Sequence, residues 1–304
     1  MDIDLAAGRY VVAVSGGVDS GVLLNLLHHK KILLEVRPLK SQFQFVVAHF
    51  DHGIREDSGE DRKFVEQLAG QYDLPFFYEE GNLGAAASEA LARQKRYEFL
   101  NKVRLQTGAS AMITAHHQDD LIETAIINII RGTGRKGLSS LKSSDLIKRP
   151  LLGFSKLEIQ KYALKNNLTW REDPTNQDEK YLRNYVRRQI IDKFLPDERK
   201  SWLDKLNSMQ SINKSADYII GRLLAEHSSE DKLDRLWFAS LPHDVSKELL
   251  ATWFRLNGAR FDRRQLERLT ILCKTRAPGK RLDVDKYDKI SIEHNYLALA
   301  RAER

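Results

Sequence analysis

Six residues, Ser15-Gly16-Gly17-Val18-Asp19-Ser20, combine glycines and hydroxyls in the density that anion binding needs. They join an apolar run, Val11-Val12-Ala13-Val14, to a leucine-rich stretch with helical spacing. At such a strand-to-helix junction backbone N–H groups converge on an anion, and the helix N-terminus favours negative charge by ~0.3–1 kcal/mol. Gly16 and Gly17 let the chain turn tightly and approach phosphate oxygens without a Cβ in the way. Ser15 and Ser20 can add donors. The string is not a Walker A loop, which places Gly-Lys-Ser/Thr after its glycines, and it lacks the spacing of a dinucleotide fingerprint. Helix capping by Asp19 or Ser20 is the ordinary alternative. Asp19 is the unusual member: a carboxylate inside an anion cradle suits Mg²⁺, which takes oxygen ligands and shares them with phosphates.

Further along, His116, Asp120 and Glu123 stand at i, i+4 and i+7, and the spacing predicts one face of a helix opened by the pair His116-His117. Asp120 there suits a metal, with capping by Asp119 or Asp120 as the alternative. This is not the HExxH pattern of a zinc helix. Arg93 and Arg96, three apart, suit a phosphate clamp, or a solvated basic face shared with Lys95. Tyr181 and Asn184 suit substrate contact or packing equally. Cys273 is the one cysteine, in the apolar context LTILCKT, and is expected in a core; it excludes an internal disulfide and a cysteine-based zinc site. A reducing, cytoplasmic compartment is the expectation.

The elements that position these residues alternate. RYVVAVS, QFQFVVAHF, LPFFYEE and ASAMITAHH read as strands, each followed by a helical pattern: SGVLLNLLHHK, SGEDRKFVEQLAGQY with Ser58 as candidate cap, 88–106, and HQDDLIETAIINII. Four such alternations predict an α/β fold, a parallel twisted sheet with helices on both faces. RGTGRKGLSSLKSS reads as a mobile loop. A short strand LIKRPL, a helix SKLEIQKYALKNN, a turn at Asp173-Pro174 and a basic helix follow. Pro196 marks the expected end of a first domain, 1–196. Residues 197–228 read as a helical linker, and 229–304 as a smaller C-terminal α+β domain whose KRLDV and KISIEHNYLALA alternate like antiparallel strands.

The 304 residues suffice for two domains, and 42% hydrophobic with 30% charged residues fits a globular protein. No apolar run reaches membrane-spanning length, and MDIDLAAGRY has the character of neither a signal nor a transit peptide. The net charge of +7 is localised: residues 131–200 hold 17 Lys/Arg against 9 Asp/Glu, and the remainder is close to neutral. Such concentration points to a polyanionic partner such as nucleic acid, with a solvated basic face as the alternative.

Ordered motifs carry a family resemblance. Ser15–Ser20 resembles the pyrophosphatase loop of the N-type ATP pyrophosphatases, which split ATP into AMP and pyrophosphate while adenylating a carbonyl oxygen. Thiolases of that group use cysteine pairs or an iron–sulfur cluster, which Cys273 alone cannot supply, and no glutaminase domain is visible. His49-Phe50-Asp51-His52-Gly53-Ile54-Arg55, Ala92-Arg93 with Arg96-Tyr97, and Thr114 to Asp120 with Glu123-Thr124 resemble successive motifs of the tRNA(Ile)-lysidine synthetase family. So do Arg131-Gly132-Thr133-Gly134 with Gly137-Leu138, Arg149-Pro150-Leu151-Leu152, and Glu172-Asp173, Thr175-Asn176, Tyr181, Arg183-Asn184 and Arg187. The resemblance covers residues 10–195; Pro278 to Asp283 more weakly resembles the family's C-terminal domain. Leu121 departs from it, since many members carry glutamine there.

The resemblance implies an adenine nucleotide alpha hydrolase-like fold and an ATP- and Mg²⁺-dependent ligation of lysine to the wobble cytidine of the CAU anticodon of tRNA(Ile), through an adenylated cytosine. It implies catalytic roles for Asp19, Asp120, Arg96 and Arg187, and nucleotide binding by Ser15, Gly16, Gly17, Val18, Asp19 and Ser20. Substrate or tRNA contacts would fall to Arg93, His116, Glu123, Arg131, Arg135, Lys136 and Asn184, and metal contacts to Asp19 and Asp120. Arg131, Arg135 and Lys136 suit the tRNA backbone, where base-blind charge contacts dominate affinity. The C-terminal domain, 229–304, would help bind tRNA. Partners would be tRNA(Ile) and L-lysine, with no membrane and room for a homodimer. Two rival readings stay open: a tRNA-modifying pyrophosphatase with another nucleophile, and a non-catalytic nucleotide- or RNA-binding module.

Overall fold

Strand β1 (Gly8–Ala13) runs through loop into helix α1 (Val18–Glu35), and the alternation continues as β2 (Phe43–Asp51), α2 (Ser58–Gln71), β3 (Phe76–Glu80), α3 (Glu89–Thr107), β4 (Ala111–Ile113) and α4 (Gln118–Ile130). These bounds come from a computed structural model that describes residues 1–35, 43–53, 58–84, 87–172, 182–229 and 231–301. A helical turn α5 (Arg135–Leu138), strand β5 (Ile147–Lys148), α6 (Lys156–Lys165) and α7 (Leu182–Gln189) follow. The strands form one parallel sheet in the order β3-β2-β1-β4-β5.

Alternate residues of each strand serve opposite faces. Val12, Val47 and Ile113 pack with Leu23, Leu24 and Leu27 of α1 and Ile159 of α6. Their neighbours Val11, Val46 and Met112 pack with Phe99, Leu100 and Val103 of α3. Both faces are therefore covered, as an all-parallel sheet requires. Helix α3 is bounded as its sequence demands: the Leu91 N–H donates to Ser88 Oγ at 3.2 Å, and Gly108 closes the helix at φ 65°.

Two expectations change. The glycine- and serine-rich segment after Arg131, expected as a loop, contains the helical turn α5, and the Asn128 amide donates to the Gly137 carbonyl at 2.6 Å and to Ser140 Oγ at 3.2 Å. Strand β5 stops after Lys148, because Pro150 has no N–H for a ladder and instead opens a 3₁₀ turn, Pro150–Gly153. Pro196 begins a helix, α8 (Pro196–His227), a position that suits proline. Ile54-Arg55, the Asp173-Pro174 turn, Thr175-Asn176 and Tyr181 lie outside the described residues.

The chain divides into two compact units, Met1–Met209 and Gln210–Arg304. In the first, Trp202, Leu203 and Leu206 of α8 pack with Leu121 and Ile122 of α4 and Val186 of α7. Leu121 is thus a core residue. The second unit adds β6 (Lys232–Asp234), α9 (Arg235–Ser240), α10 (His243–Leu256), α11 (Arg263–Thr275), β7 (Lys280–Asp283), β8 (Asp288–Ile292) and β9 (Tyr296–Arg301). Its strands form an antiparallel sheet, β6-β9-β8-β7, around Phe238, Leu249, Trp253, Phe254 and Ile290. Cys273 is buried in this core, where burial pushes its thiol up to about 12. Among the described residues no helix is long and apolar enough to cross a membrane.

Candidate active site

The chain leaves β1 toward β2 on one side, while β4 lies on the other, so the loops after β1 and β4 diverge at the C-terminal edge of the sheet. Open parallel sheets bind ligands at such a switch point. A cavity of about 310 Å³ opens there, lined by Ser15, Asp19, Ser20, His49, Arg96, His116 and Asp120 among others.

Within the loop, only Gly16 needs to be glycine for backbone reasons: its φ is +93°. A Cβ on Gly17 would sit 3.6 Å from Ser15 Oγ, an ordinary contact, so steric freedom of the chain is not what Gly17 provides. Ser20 is buried; its hydroxyl accepts the Ser15 N–H at 3.2 Å and donates to the Gly17 carbonyl at 2.9 Å. It braces the loop, whereas Ser15 is exposed. The Arg171 N–H donates to the Gly16 carbonyl at 3.0 Å and pins the turn from behind.

Three helix N-termini meet here. Asp19, in the first turn of α1, faces Lys156 at the first position of α6, and Lys156 Nζ lies 2.7 Å from each carboxylate oxygen. His117, the N-cap of α4, places Nε2 3.8 Å from Asp19 and 3.5 Å from Asp120. The Gln118 N–H donates to the Phe154 carbonyl at 2.9 Å, tying the start of α4 to the turn that leads into α6. Converging N-termini concentrate partial positive charge and unsatisfied N–H groups on one spot.

The expectation that His116, Asp120 and Glu123 share a helical face is corrected: α4 begins at Gln118, so His116 precedes the helix. His116 Nδ1 instead lies 2.8 Å from Thr114 Oγ1, and burial pulls its pKa down to about 3, which keeps the ring neutral. Asp120 accepts the His117 N–H at 3.0 Å, so capping and site geometry coincide in one carboxylate. Burial opposes its ionisation, but His117, His116, that N–H and Arg187 together hold its pKa below the ordinary value.

Glu123 is fully buried and held by two arginines of α7: Arg183 Nη1 at 2.6 Å and Arg187 Nη2 at 2.8 Å. Burial nonetheless raises its pKa to about 7 against the pull of Arg187 and Arg183. Arg187 also reaches Asp120 at 3.3 Å, and Arg183 reaches Glu89 at the start of α3 at 2.8 Å. Asn184, on the same helix, is buried. On α3, Arg93 and Arg96 both lie over the Tyr97 ring, at 4.8 and 5.5 Å, and Arg96 lines the cavity with its pKa lowered by burial. Arg131, Arg135 and Lys136 are not in this cluster. They stand at the far end of α4, ~20 Å from its N-terminus by helix rise. Lys156, and Arg183 as a partner of Glu123, are the residues that spacing alone did not single out. Lys156 belongs to no motif string, and only the packing of α6 on α1 brings it to the loop.

A glycine-turned loop, converging helix N-termini and paired carboxylates define an α/β domain with an anion-binding loop at its switch point. The profile of the PP-loop domain family matches residues 3–194. The tRNA(Ile)-lysidine synthase of Thermotoga maritima is 40% identical over 196 residues, which is 62% of this chain and 45% of that protein. The tRNA(Ile)-lysidine synthase of Francisella tularensis subsp. holarctica is 30% identical over 301 residues, 95% of this chain and 73% of that protein. The match therefore spans less than half the length of the Thermotoga relative. Among solved structures, a U34-tRNA thiolase from Methanococcus maripaludis shares the fold, with a TM-score of 0.52 and 17% identity over 67% of this chain and 73% of that one. The chain belongs to the PP-loop domain family, in its tRNA(Ile)-lysidine synthase branch.

Proposed function

We propose that the chain joins lysine to the wobble cytidine of the CAU anticodon of tRNA(Ile), consuming ATP. The observation that carries this reading is the meeting of the phosphate loop with Asp19, Asp120 and Arg187 in one cluster. The cytosine carbonyl oxygen attacks the α-phosphate and pyrophosphate leaves. The lysine amine then attacks the activated ring carbon, and AMP departs with the former carbonyl oxygen. The N–H groups of Gly16, Gly17 and the first turn of α1 hold phosphate oxygens, and Arg96 and Arg187 offset charge as pyrophosphate separates. Asp120, kept ionised, accepts hydrogen bonds from the ammonium of the incoming lysine and orients it, and the proton lost before attack passes to solvent.

Mg²⁺ fits the donors present. It binds through one or two carboxylates and fills its shell with water and phosphate oxygens. Asp19 lines the cavity with 28% of its side chain exposed, and Asp120 lies beyond His117. Bound there, Mg²⁺ would neutralise charge on the leaving pyrophosphate. The tRNA backbone is assigned to Arg131, Arg135 and Lys136 and to the part of the chain over 229–304, where Arg263, Arg264, Lys280 and Arg281 are exposed. Substrate contact is assigned to Arg93, His116, Glu123 and Asn184.

Incubation with tRNA(Ile), ATP and each amino acid in turn, with AMP release and nucleoside mass as readouts, tests the reading. Lysine alone should drive release and add its mass to one cytidine; release driven by another amine overturns the claim for lysine. Asp120→Asn should lower turnover roughly 100-fold or more while tRNA affinity is kept.

A further inference from the structure

The phosphate loop carries no lysine of its own, yet a lysine ammonium sits beside it. Lys156 Nζ is 2.7 Å from both oxygens of Asp19, 137 residues away in sequence. A second contact fixes the approach: the Tyr162 hydroxyl donates to Asn25 Oδ1 at 2.9 Å, also across 137 residues. Equal offsets mean that α6 lies parallel to α1 and in register with it, so both helices aim their N-termini at the same place. Ile159 and Ala163 anchor α6 in the core shared with α1, and a Ser155–Glu158 capping box sets where α6 begins.

Lys156 is badly placed for helix stability. A cation at the first helical position opposes the positive end of the helix dipole. Among the described residues its ion pair is with Asp19, the loop carboxylate that the proposed reading gives to a Mg²⁺ ion. Asp19 cannot hold that ion with both oxygens covered by an ammonium. Lys156 is partly exposed and carries a flexible stem, so it can swing.

We propose that Lys156 is a relocating counter-ion. It neutralises Asp19 before nucleotide binds, yields Asp19 to the metal, and moves its ammonium onto the β- and γ-phosphate oxygens. No bond is made or broken in this exchange. The inference rests on the proposed ATP-dependent function. It gives Lys156 contact with the part of ATP that leaves, not with the adenosine monophosphate part.

Calorimetric titration of the full chain with MgATP, Mg-pyrophosphate and AMP separates the possibilities. Lys156→Ala should weaken MgATP and pyrophosphate about 10- to 100-fold, the range for losing one charged hydrogen bond, and leave AMP within about twofold. Lys156→Arg should recover most of the loss. Equal weakening of ATP and AMP, or no change in either, overturns the proposal, provided thermal melting shows both variants folded; if Lys156→Ala does not fold, Lys156→Arg and Lys156→Met are compared instead. Wild-type protein that binds AMP but gains nothing from the two further phosphates also overturns it. Wild-type protein that binds no adenine nucleotide overturns the functional reading itself, and the proposal with it.

Discussion

At the scale of single residues, burial has set protonation states that a pH titration can read. His116 has a folded pKa of about 3 against ~6.5 in an unfolded chain. His49, whose Nδ1 lies 2.9 Å from the Val14 carbonyl, is lowered too, chiefly by burial. Below pH ~6.5 the unfolded chain takes up protons that the folded site refuses, so this stability is complete above that pH and drains away as pH falls toward 3. Glu123 acts with the opposite sign, because its pKa is raised to about 7 and stability is lost as pH rises from ~4.5 through 7. The difference between wild type and His116→Gln isolates the histidine. Melting temperature should fall more steeply from pH 7 to pH 5 in wild type than in the variant; parallel curves would refute the assignment.

At the scale of elements, the start of α1 depends on one left-handed residue. Gly16→Ala should cost about 1–2 kcal/mol by urea denaturation, because an L-residue at φ +93° is strained even though the space for its Cβ is ordinary. A loss of only a few tenths would show that the loop relaxes. Most of the elements that carry the site were legible, since apolar period and turn residues are local signals. The loop, α3 and α4 all stand within a residue or two of where the spacing put them. What was illegible has a common cause: it depends on partners far away in sequence. The Asp19–Lys156 and Glu123–Arg183 pairs cross 137 and 60 residues. His116 was misplaced for a local reason, because the spacing i, i+4, i+7 cannot say which histidine of a pair begins the helix.

At the scale of the whole molecule, if the proposed function holds, the basic excess in 131–200 and the exposed arginines and lysines of the second unit make tRNA affinity a salt-dependent quantity. Replacing Arg131, Arg135 and Lys136 together by serine should weaken binding of any tRNA and reduce the slope of log affinity against log salt by about 2–3. An unchanged slope would remove these residues from the interface. The two-unit architecture was partly visible as a change from alternating strands and helices to a polar helical stretch, but a helix of 32 residues belongs to both sides of that change. Composition marks a linker; it does not mark where packing on either side begins.

The parallel register of α1 and α6 also bears on how the protein comes into being. The phosphate loop is synthesised well before its partners, since its counter-ion comes from residue 156 and the arginine that grips Asp120 from residue 187. A growing chain therefore carries the loop long before it carries a site. Over that interval Asp19 lacks its lysine, and β1, though it can already pair with β2, waits with its other edge open until β4 is made. Nucleotide cannot stabilise the chain during this wait, because a ligand adds stability only to a state that binds it. Chaperone dependence should thus be concentrated before α7 is made, and ATP should protect the chain only once α7 has docked.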